Sequence, residues 1–390
     1  MVADVLIAGA GPAGCFLARR LSMAGARVVL VDRLPDPAFN AYSSAALPKV
    51  EADRLGIPSS CRSTVWSGWQ LLDPDGLEHQ WWSDDTLGVV LDFAGFRSWL
   101  WQQAEESGVE LIRGRTVRLQ HLDDQGAQVI LQASGSATEL RVCRQLVDAT
   151  GACRHLLRQA DVALDSPEDP LLTGEGVEWL LQGSDRTTAR WRDRLSFMLG
   201  TRWIPHGYGW VFPMADHQLK VGVCRLAPPH KQRQPLHAAL NQLLRRLDLD
   251  SFKVIDRHGG RVSSTISRRE CPGQAALRSV GDAASTANLL GGEGIRHAAE
   301  SALILADALL HGWSLDRYQK TLQNHFGWRW AVSNRLARRT WWGLDDEKSD
   351  RRMDRLIHGL SGQAKAEDLS ELLFSYRFER YGWRLLPYLR

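Results

Sequence analysis

The sequence predicts an α/β fold: a parallel-sheet nucleotide-binding lobe, a second lobe built on an antiparallel sheet, and a helical C-terminal region. Three observations carry this. A short apolar strand over residues 5–8 runs into Gly9-Ala10-Gly11-Pro12-Ala13-Gly14 and then into a helix. A similar junction stands far downstream, at Ser279-Val280-Gly281-Asp282-Ala283 followed by Gly291-Gly292-Glu293-Gly294-Ile295. Between them, Gln145-Leu146-Val147-Asp148-Ala149-Thr150-Gly151 reads as another strand ending in a small-residue turn. Open α/β sheets bind ligands at the carboxyl ends of their strands, where such turns lie.

In the first junction, Gly9 permits the tight turn, Gly11 lets the backbone approach a pyrophosphate, and Gly14 lets the helix pack closely on the strand. The helix runs through Phe16, Leu17, Ala18, Leu21 and Ala24 and stops at Gly25. Its N-terminus, with Pro12 and Ala13 beside it, offers unpaired N–H groups and about half a positive charge to phosphates. A second strand over 27–31 ends in Asp32, followed by Arg33. That carboxylate stands about 20 residues on, where a ribose-binding acid is expected. Strand, turn, helix, strand and acid in this order predict a dinucleotide site.

The downstream junction points to the kind of dinucleotide. A strand over 276–280 delivers Gly281-Asp282, and Asp282 can accept hydrogen bonds from sugar or ribityl hydroxyls. The loop over 289–295 feeds a helix marked by Ala298, Ala299, Ala302, Leu303, Ala306, Leu309 and Leu310. A helix N-terminus there stabilises negative charge on a reduced flavin ring. Two binding junctions from opposite ends of the chain imply a long cofactor gripped at both ends, which favours FAD over NAD. The expected organisation is a Rossmann-type FAD-binding domain over 1–63, 91–160 and 270–320. An antiparallel substrate domain covers 64–90 and 161–269, and a helical region covers 321–390.

The remaining elements follow from pattern. Residues 64–90 read as antiparallel strands around a turn at Asp73-Pro74-Asp75-Gly76. A helix over 96–107 is ended by Gly108, and strands follow at 109–119, 127–133 and 139–149, with a Ser/Gly patch near 134. Residues 165–265 alternate and suit a second sheet.

Composition is that of an ordinary globular protein, with 24% charged and 44% apolar residues. The formal net charge of +3 gives no case for nucleic acid as a partner. Six cysteines form no C-x-x-C pair and no metal-ligand spacing, so a reduced, cytoplasmic protein without disulfides or a metal is expected. No signal-peptide pattern precedes the first strand, and no apolar run approaches the roughly 20 residues of a membrane span. Tryptophan is in excess, with 16 copies. It prefers sites with one wet side, and the excess favours a large apolar substrate. In the C-terminal region Trp328, Val332, Leu336 and Leu344 form a candidate apolar stripe, flanked by Arg329, Arg335, Arg338 and Arg339 and followed by Trp341-Trp342. Two readings stand side by side: a helix packed on the flavin lobe, or a basic amphipathic helix in peripheral contact with an anionic membrane.

From residue 1 to about 310 the chain resembles the geranylgeranyl reductases, flavoenzymes related in fold to p-hydroxybenzoate hydroxylase. The glycine turn with Asp32 carries part of the resemblance. Gly281-Asp282 with the loop over 291–295 is similar to the family's G-D-A and L-T-G-E-G-I stretches. Most specific is Pro205-His206-Gly207-Tyr208-Gly209-Trp210-Val211-Phe212-Pro213, which looks like the family's P-x-x-Y-x-W-x-F-P motif. Strand alternation puts Tyr208, Trp210 and Phe212 on one face. Three departures stand out. Ser43-Ser44-Ala45-Ala46 occupies the region of a family Cys-Gly-Gly stretch, Phe93 replaces an arginine, leaving Arg97 as the nearest guanidinium, and Leu289 replaces a proline.

The resemblance implies FAD as cofactor, contacted also by Ser44, Arg97, Val117, Thr150, Gly151, Gly291, Gly292, Gly294 and Ile295. It implies an apolar cavity lined by Tyr208, Trp210, Phe212 and Pro213, hydride transfer from reduced flavin to a carbon–carbon double bond of an isoprenoid, and NAD(P)H or a ferredoxin-type protein as reductant. No catalytic acid is fixed by the sequence, Tyr208 and His206 being the candidates. The rival within the superfamily is a monooxygenase or halogenase. Tyr208 to Pro213 partly echo the halogenase W-x-W-x-I-P motif, and Lys49 is the candidate lysine beside the flavin. A third reading is a flavin-binding scaffold without turnover.

Overall fold

The computed structural model describes residues 2–39, 43–133, 137–163, 168–226 and 234–380. The Ser/Gly patch near 134 and the last ten residues of the expected helical region lie outside them. Among the described residues, three sheets organise the chain. The first has Ala3–Ala8 at its centre, parallel to Val28–Val31 on one side and to Glu139–Asp148 on the other. Glu110–Ile112 and Leu277–Ser279 extend it in parallel on the two flanks. Near-continuous apolar runs such as Val28–Val31, buried throughout, are what a sheet covered on both faces requires. The predicted strand over 109–119 is two strands. Glu110–Ile112 completes the parallel sheet, and Thr116–Asp123 begins an antiparallel hairpin with Gly126–Gln132.

The helix Pro12–Met23 packs against Ile295–Leu310, with Leu17, Ala18 and Leu21 facing Ala298, Ala302 and Leu305 in one core. This apposition brings the two ends of the sequence together. The small residues on both faces, alanines above all, let the helices approach closely.

The second sheet has seven strands in the order Lys253–Ser264, Leu172–Gln182, Gln218–Arg225, Gly207–Pro213, Arg194–Leu199, Gly68–Leu72 and Glu78–Trp82. All neighbours are antiparallel except Arg194–Leu199 with Gly68–Leu72. The predicted turn at 73–76 closes the last hairpin, and Asp73 Oδ1 accepts from the amides of Asp75, Gly76 and Leu77. One face of the sheet is covered by a helix the alternation pattern did not announce, Leu236–Arg246, through Ala239, Leu240, Leu243 and Leu244. The other face meets the C-terminal helices through Trp69, Tyr208, Trp210, Phe212 and Trp341. A small third sheet, Ala46–Pro48, Gly88–Leu91 and Arg62–Trp66, takes the two outer segments of the region assigned to the substrate lobe over 64–90.

The C-terminal region is helical over Leu315–Trp342, Glu347–Ser361 and Ala366–Phe374. The first of these is interrupted at Gly327, whose φ of 62° and ψ of −164° are not helical. The stripe predicted from Trp328 does not face inward as a unit. Trp328 is 60% exposed, whereas Leu336 and Leu344 of the stripe are buried, and the buried face beyond the interruption also includes Trp330, Ser333, Asn334, Ala337 and Trp341. Trp341 belongs to the interior, where its indole N–H donates to Leu289 O.

Candidate flavin and substrate site

A cavity of about 680 Å³ lies between the first sheet, the second sheet and the C-terminal helices. The Gly9–Ala13 turn, Asp32, Arg33, Thr150 and Gly151 line one part of it. Ser44, Arg97 and Val117 border it, as do Asp282, Gly291, Gly292, Gly294 and Ile295. Gly14 and Gly281 stand behind this lining. A Cβ on Gly14 would meet Gly9 O at 1.9 Å, and one on Gly281 would meet Ala13 Cβ at 2.7 Å.

The fit to a dinucleotide rests on the donors. Two helices, Pro12–Met23 and Ile295–Leu310, present N-termini to this cavity, and neither carries a side-chain cap. Their first-turn amides are donors for oxygen anions. At Gly11 a Cβ would find nothing within 4 Å, so the backbone stands open to a phosphate. Asp32 closes the turn itself: Oδ2 accepts from Ala10 N at 2.7 Å and Oδ1 from Leu34 N at 2.8 Å. Each oxygen retains a second lone pair for a sugar hydroxyl. Arg97 is buried and donates to the carbonyls of Pro37 and Phe39, so it fixes the segment that follows the cavity-lining Asp32, Arg33 and Leu34. These residues fit FAD, which would lie with its diphosphate on the Gly11 turn and its sugar hydroxyls within reach of Asp32 and Asp282.

Burial pushes the Asp282 carboxyl up to about 6, against the attraction of Arg154 and His297. Hydroxyl donors favour its ionised form and lower its pKa in the complex. FAD affinity is therefore expected to be level above about pH 6 and to fall below it, by up to about tenfold per pH unit, until the pKa of the complex is passed. Fluorescence titration of apoprotein with FAD from pH 5 to 8 checks this, and Asp282→Asn should flatten the profile.

The strand Gly207–Pro213 forms the facing wall. Tyr208, Trp210 and Phe212 all point into the cavity, joined by Phe197, Leu226, Trp341 and Phe374. Their rings are in contact, with centroids 5.1 Å apart for Tyr208 and Trp341 and 5.4 Å for Phe197 and Phe212. Tyr208 Oη stands 2.8 Å from where a Gly292 Cβ would be, so the aromatic wall meets the glycine loop directly. Burial raises the Tyr208 phenol well above its ordinary value, and the neighbouring Cys224 thiol adds to the shift.

Three assignments are corrected. Pro213 is not on the cavity. Strand alternation turns it to the opposite side from Phe212, beside Thr64, whose hydroxyl donates to its carbonyl. His206 is also off the lining; its Nδ1 lies 3.1 Å from Trp341 O. Lys49 opens the short helix Lys49–Arg54 and pairs with Asp53 one turn on, at 2.7 Å, with its side chain half exposed. It is not at the cavity, so Lys49 is not a lysine beside the flavin.

Residues that sequence reasoning missed surround the aromatic wall. Glu178 and His258 line the cavity, and Lys220 lies buried behind it. The cue for Glu178 was a carboxylate inside the apolar run Val177–Leu181. On the opposite side Glu293 is clamped by Arg296 at 2.7 and 2.8 Å and by the Tyr376 hydroxyl at 2.8 Å. Burial would raise its carboxyl, but Arg296 and His297 outweigh it and hold it at about 2. Glu293 is thus a fixed anion tying the glycine loop to the C-terminal region.

Comparison with known proteins agrees with this geometry. The family model described as lycopene cyclase protein matches residues 4–284. A digeranylgeranylglycerophospholipid reductase of Methanothrix thermoacetophila is 26% identical, over 95% of this chain and 94% of its own. A menaquinone reductase of Mycolicibacterium smegmatis is 25% identical, over 86% of this chain and 84% of its own. Among solved structures, a geranylgeranyl bacteriochlorophyll reductase-like protein of Thermoplasma acidophilum superposes with a TM-score of 0.78 at 20% identity, covering 100% of this chain and 99% of its own. Fold, cavity and matched sequence agree: the chain belongs to the lycopene cyclase protein family and is an FAD-dependent oxidoreductase of the geranylgeranyl reductase-like kind.

Proposed function

We propose that this oxidoreductase reduces carbon–carbon double bonds in the prenyl chain of a large apolar substrate. The observation that carries the reading is the meeting of Tyr208, Trp210, Phe212 and Trp341 with the Gly291–Ile295 loop in one cavity. FAD, when reduced, supplies a hydride for transfer to carbon. The chain's own residues hold and orient the alkene. The aromatic wall gives a long apolar chain a continuous dispersion surface, and its rings exclude water from the reacting end. The raised phenol of Tyr208 stays protonated at neutral pH and keeps its O–H as a donor at the glycine-loop end. NAD(P)H or a ferredoxin-type protein serves as reductant. A cytoplasmic enzyme drawing its substrate from a membrane surface accords with an apolar cavity and with the lack, among the described residues, of a helix long and apolar enough to span a bilayer.

The test uses purified protein. It should release FAD on denaturation. After anaerobic reduction, mixing with geranylgeraniol should reoxidise the flavin, and the product should gain two hydrogens per double bond reduced. Release of no flavin sinks the cofactor assignment. Reduced protein that is indifferent to prenyl substrates but consumes oxygen rapidly with an aromatic substrate would return the assignment to a monooxygenase.

A further inference from the structure

We infer that Glu178 is a positioning residue for the substrate wall, holding the Trp210 indole flat across the sheet face that lines the cavity. The inference rests on the reading of this cavity as the prenyl site. Strand register places His258, Glu178, Gly222 and Trp210 in one row across four strands: Glu178 lies opposite both His258 and Gly222, and Gly222 opposite Trp210. Gly222 is the reason the indole reaches Glu178. A Cβ there would lie 2.2 Å from Trp210 Cζ2, so the ring crosses the strand over bare backbone. Its Nε1–H then donates to Glu178 Oε2 at 2.7 Å. The other oxygen lies 2.9 Å from His258 Nε2.

Burial would raise the Glu178 carboxyl, but the His258 hydrogen bond and the Lys220 charge outweigh it and hold it below the usual range. Glu178 is therefore ionised and only accepts, so both neighbours donate to it. A charge-assisted bond fixes a ring more firmly than packing alone. The contrast within this protein is direct. Among the described residues, the buried indole N–H groups of Trp66, Trp81, Trp179, Trp191 and Trp342 have no hydrogen-bond partner. Lys220, on the strand between those of Trp210 and Glu178, ties the sheet to the segment bordering the cavity, donating to Ser43 O at 2.7 Å, Ser44 O at 3.3 Å and Leu91 O at 3.1 Å. Burial lowers the pKa of that ammonium, and the negative charges of Glu178 and Asp92 oppose the shift.

A double-mutant cycle tests the assignment. Glu178→Gln removes the charge, and Trp210→Phe removes the N–H donor together with part of the ring while keeping an aromatic face. Geranylgeraniol binding to the apoprotein is measured by calorimetry. In parallel, the indole N–H resonance of Trp210, identified by its loss in Trp210→Phe, is followed in 15N-labelled apoprotein. Each single variant should weaken binding about five- to tenfold. The double variant should be within about twofold of either single, because both remove one interaction. Glu178→Gln should shift the Trp210 indole resonance. Multiplicative losses, or an indole resonance unmoved by Glu178→Gln, overturn the positioning role. Wild-type protein that takes up no geranylgeraniol overturns the prenyl reading instead, and the resonance still reports on the Glu178 contact. If Glu178→Gln does not fold, Trp210→Phe alone decides: binding within twofold of wild type overturns the assignment.

Discussion

Gly14→Ala is expected to give a colourless protein that has lost its fold around the first turn. The added methyl would stand 1.9 Å from Gly9 O and 3.1 Å from Gly9 C, both backbone atoms. Gly9 has no room to retreat. Its φ is +108°, and a Cβ there would itself lie 2.3 Å from Ala149 O. The turn is thus wedged between its own helix and the strand Glu139–Asp148, and the clash is relieved only by separating them. The cost should exceed about 3 kcal/mol, at the upper end for single substitutions. Gly11→Ala is the paired control. Nothing lies within 4 Å of its Cβ, and its φ of −75° and ψ of −176° suit any residue. Thermal stability of the apoprotein should stay within about 0.5 kcal/mol of wild type. FAD affinity should drop severely, because the methyl occupies the space a pyrophosphate would take. Differential scanning calorimetry and FAD titration separate the two effects. A Gly11→Ala protein that binds FAD as wild type does would place the pyrophosphate elsewhere.

The contrast between these two glycines also shows what was readable in the sequence. The G-x-G-x-x-G spacing marks both positions, since local turn geometry is encoded within a few residues. The parallel strands, the two glycine junctions and the alternation of Tyr208, Trp210 and Phe212 were legible for the same reason. Pro213 was assigned with its motif although the same alternation turns it away. Lys49 is a candidate on sequence distance alone, and Asp53 one helical turn on decides its direction. The helix Leu236–Arg246 was readable from Ala239, Leu240, Leu243 and Leu244, but was hidden among strands of similar composition. The network of Glu178, His258 and Lys220 was not legible. Its members come from three strands paired across more than 30 residues of sequence, and only register makes them neighbours.

Trp341→Ala is expected to cost about 3–5 kcal/mol and to impair prenyl binding, whereas Trp328→Ala should leave stability within about 0.5 kcal/mol. The sequence stripe put Trp328 at the head of the inward face. The interruption at Gly327 ends one helical register, whose buried residues are Tyr318, Leu322 and Phe326, and starts another. In the new register Trp330, Ser333, Asn334, Ala337 and Trp341 follow at helical spacing on the buried face, and Trp328 faces out with Arg329 above its ring at 5.5 Å. Trp341 packs on Tyr208 with centroids 5.1 Å apart and donates to Leu289 O at 3.1 Å, so its removal opens the cavity wall and frees the loop preceding Gly291. Trp341→Ala is consequently unsuited to testing membrane contact, because it damages the interior first. Trp328→Ala is the informative variant, since an exposed indole beside arginine is the arrangement that inserts at an anionic interface. If the wild-type protein floats with anionic liposomes at low salt and Trp328→Ala floats several-fold less, the outer face of this helix contacts lipid. Flotation that is absent, or unchanged by Trp328→Ala, restricts the segment to its interior role, in which Trp341 and Trp330 anchor the C-terminal helices over the flavin and substrate lobes.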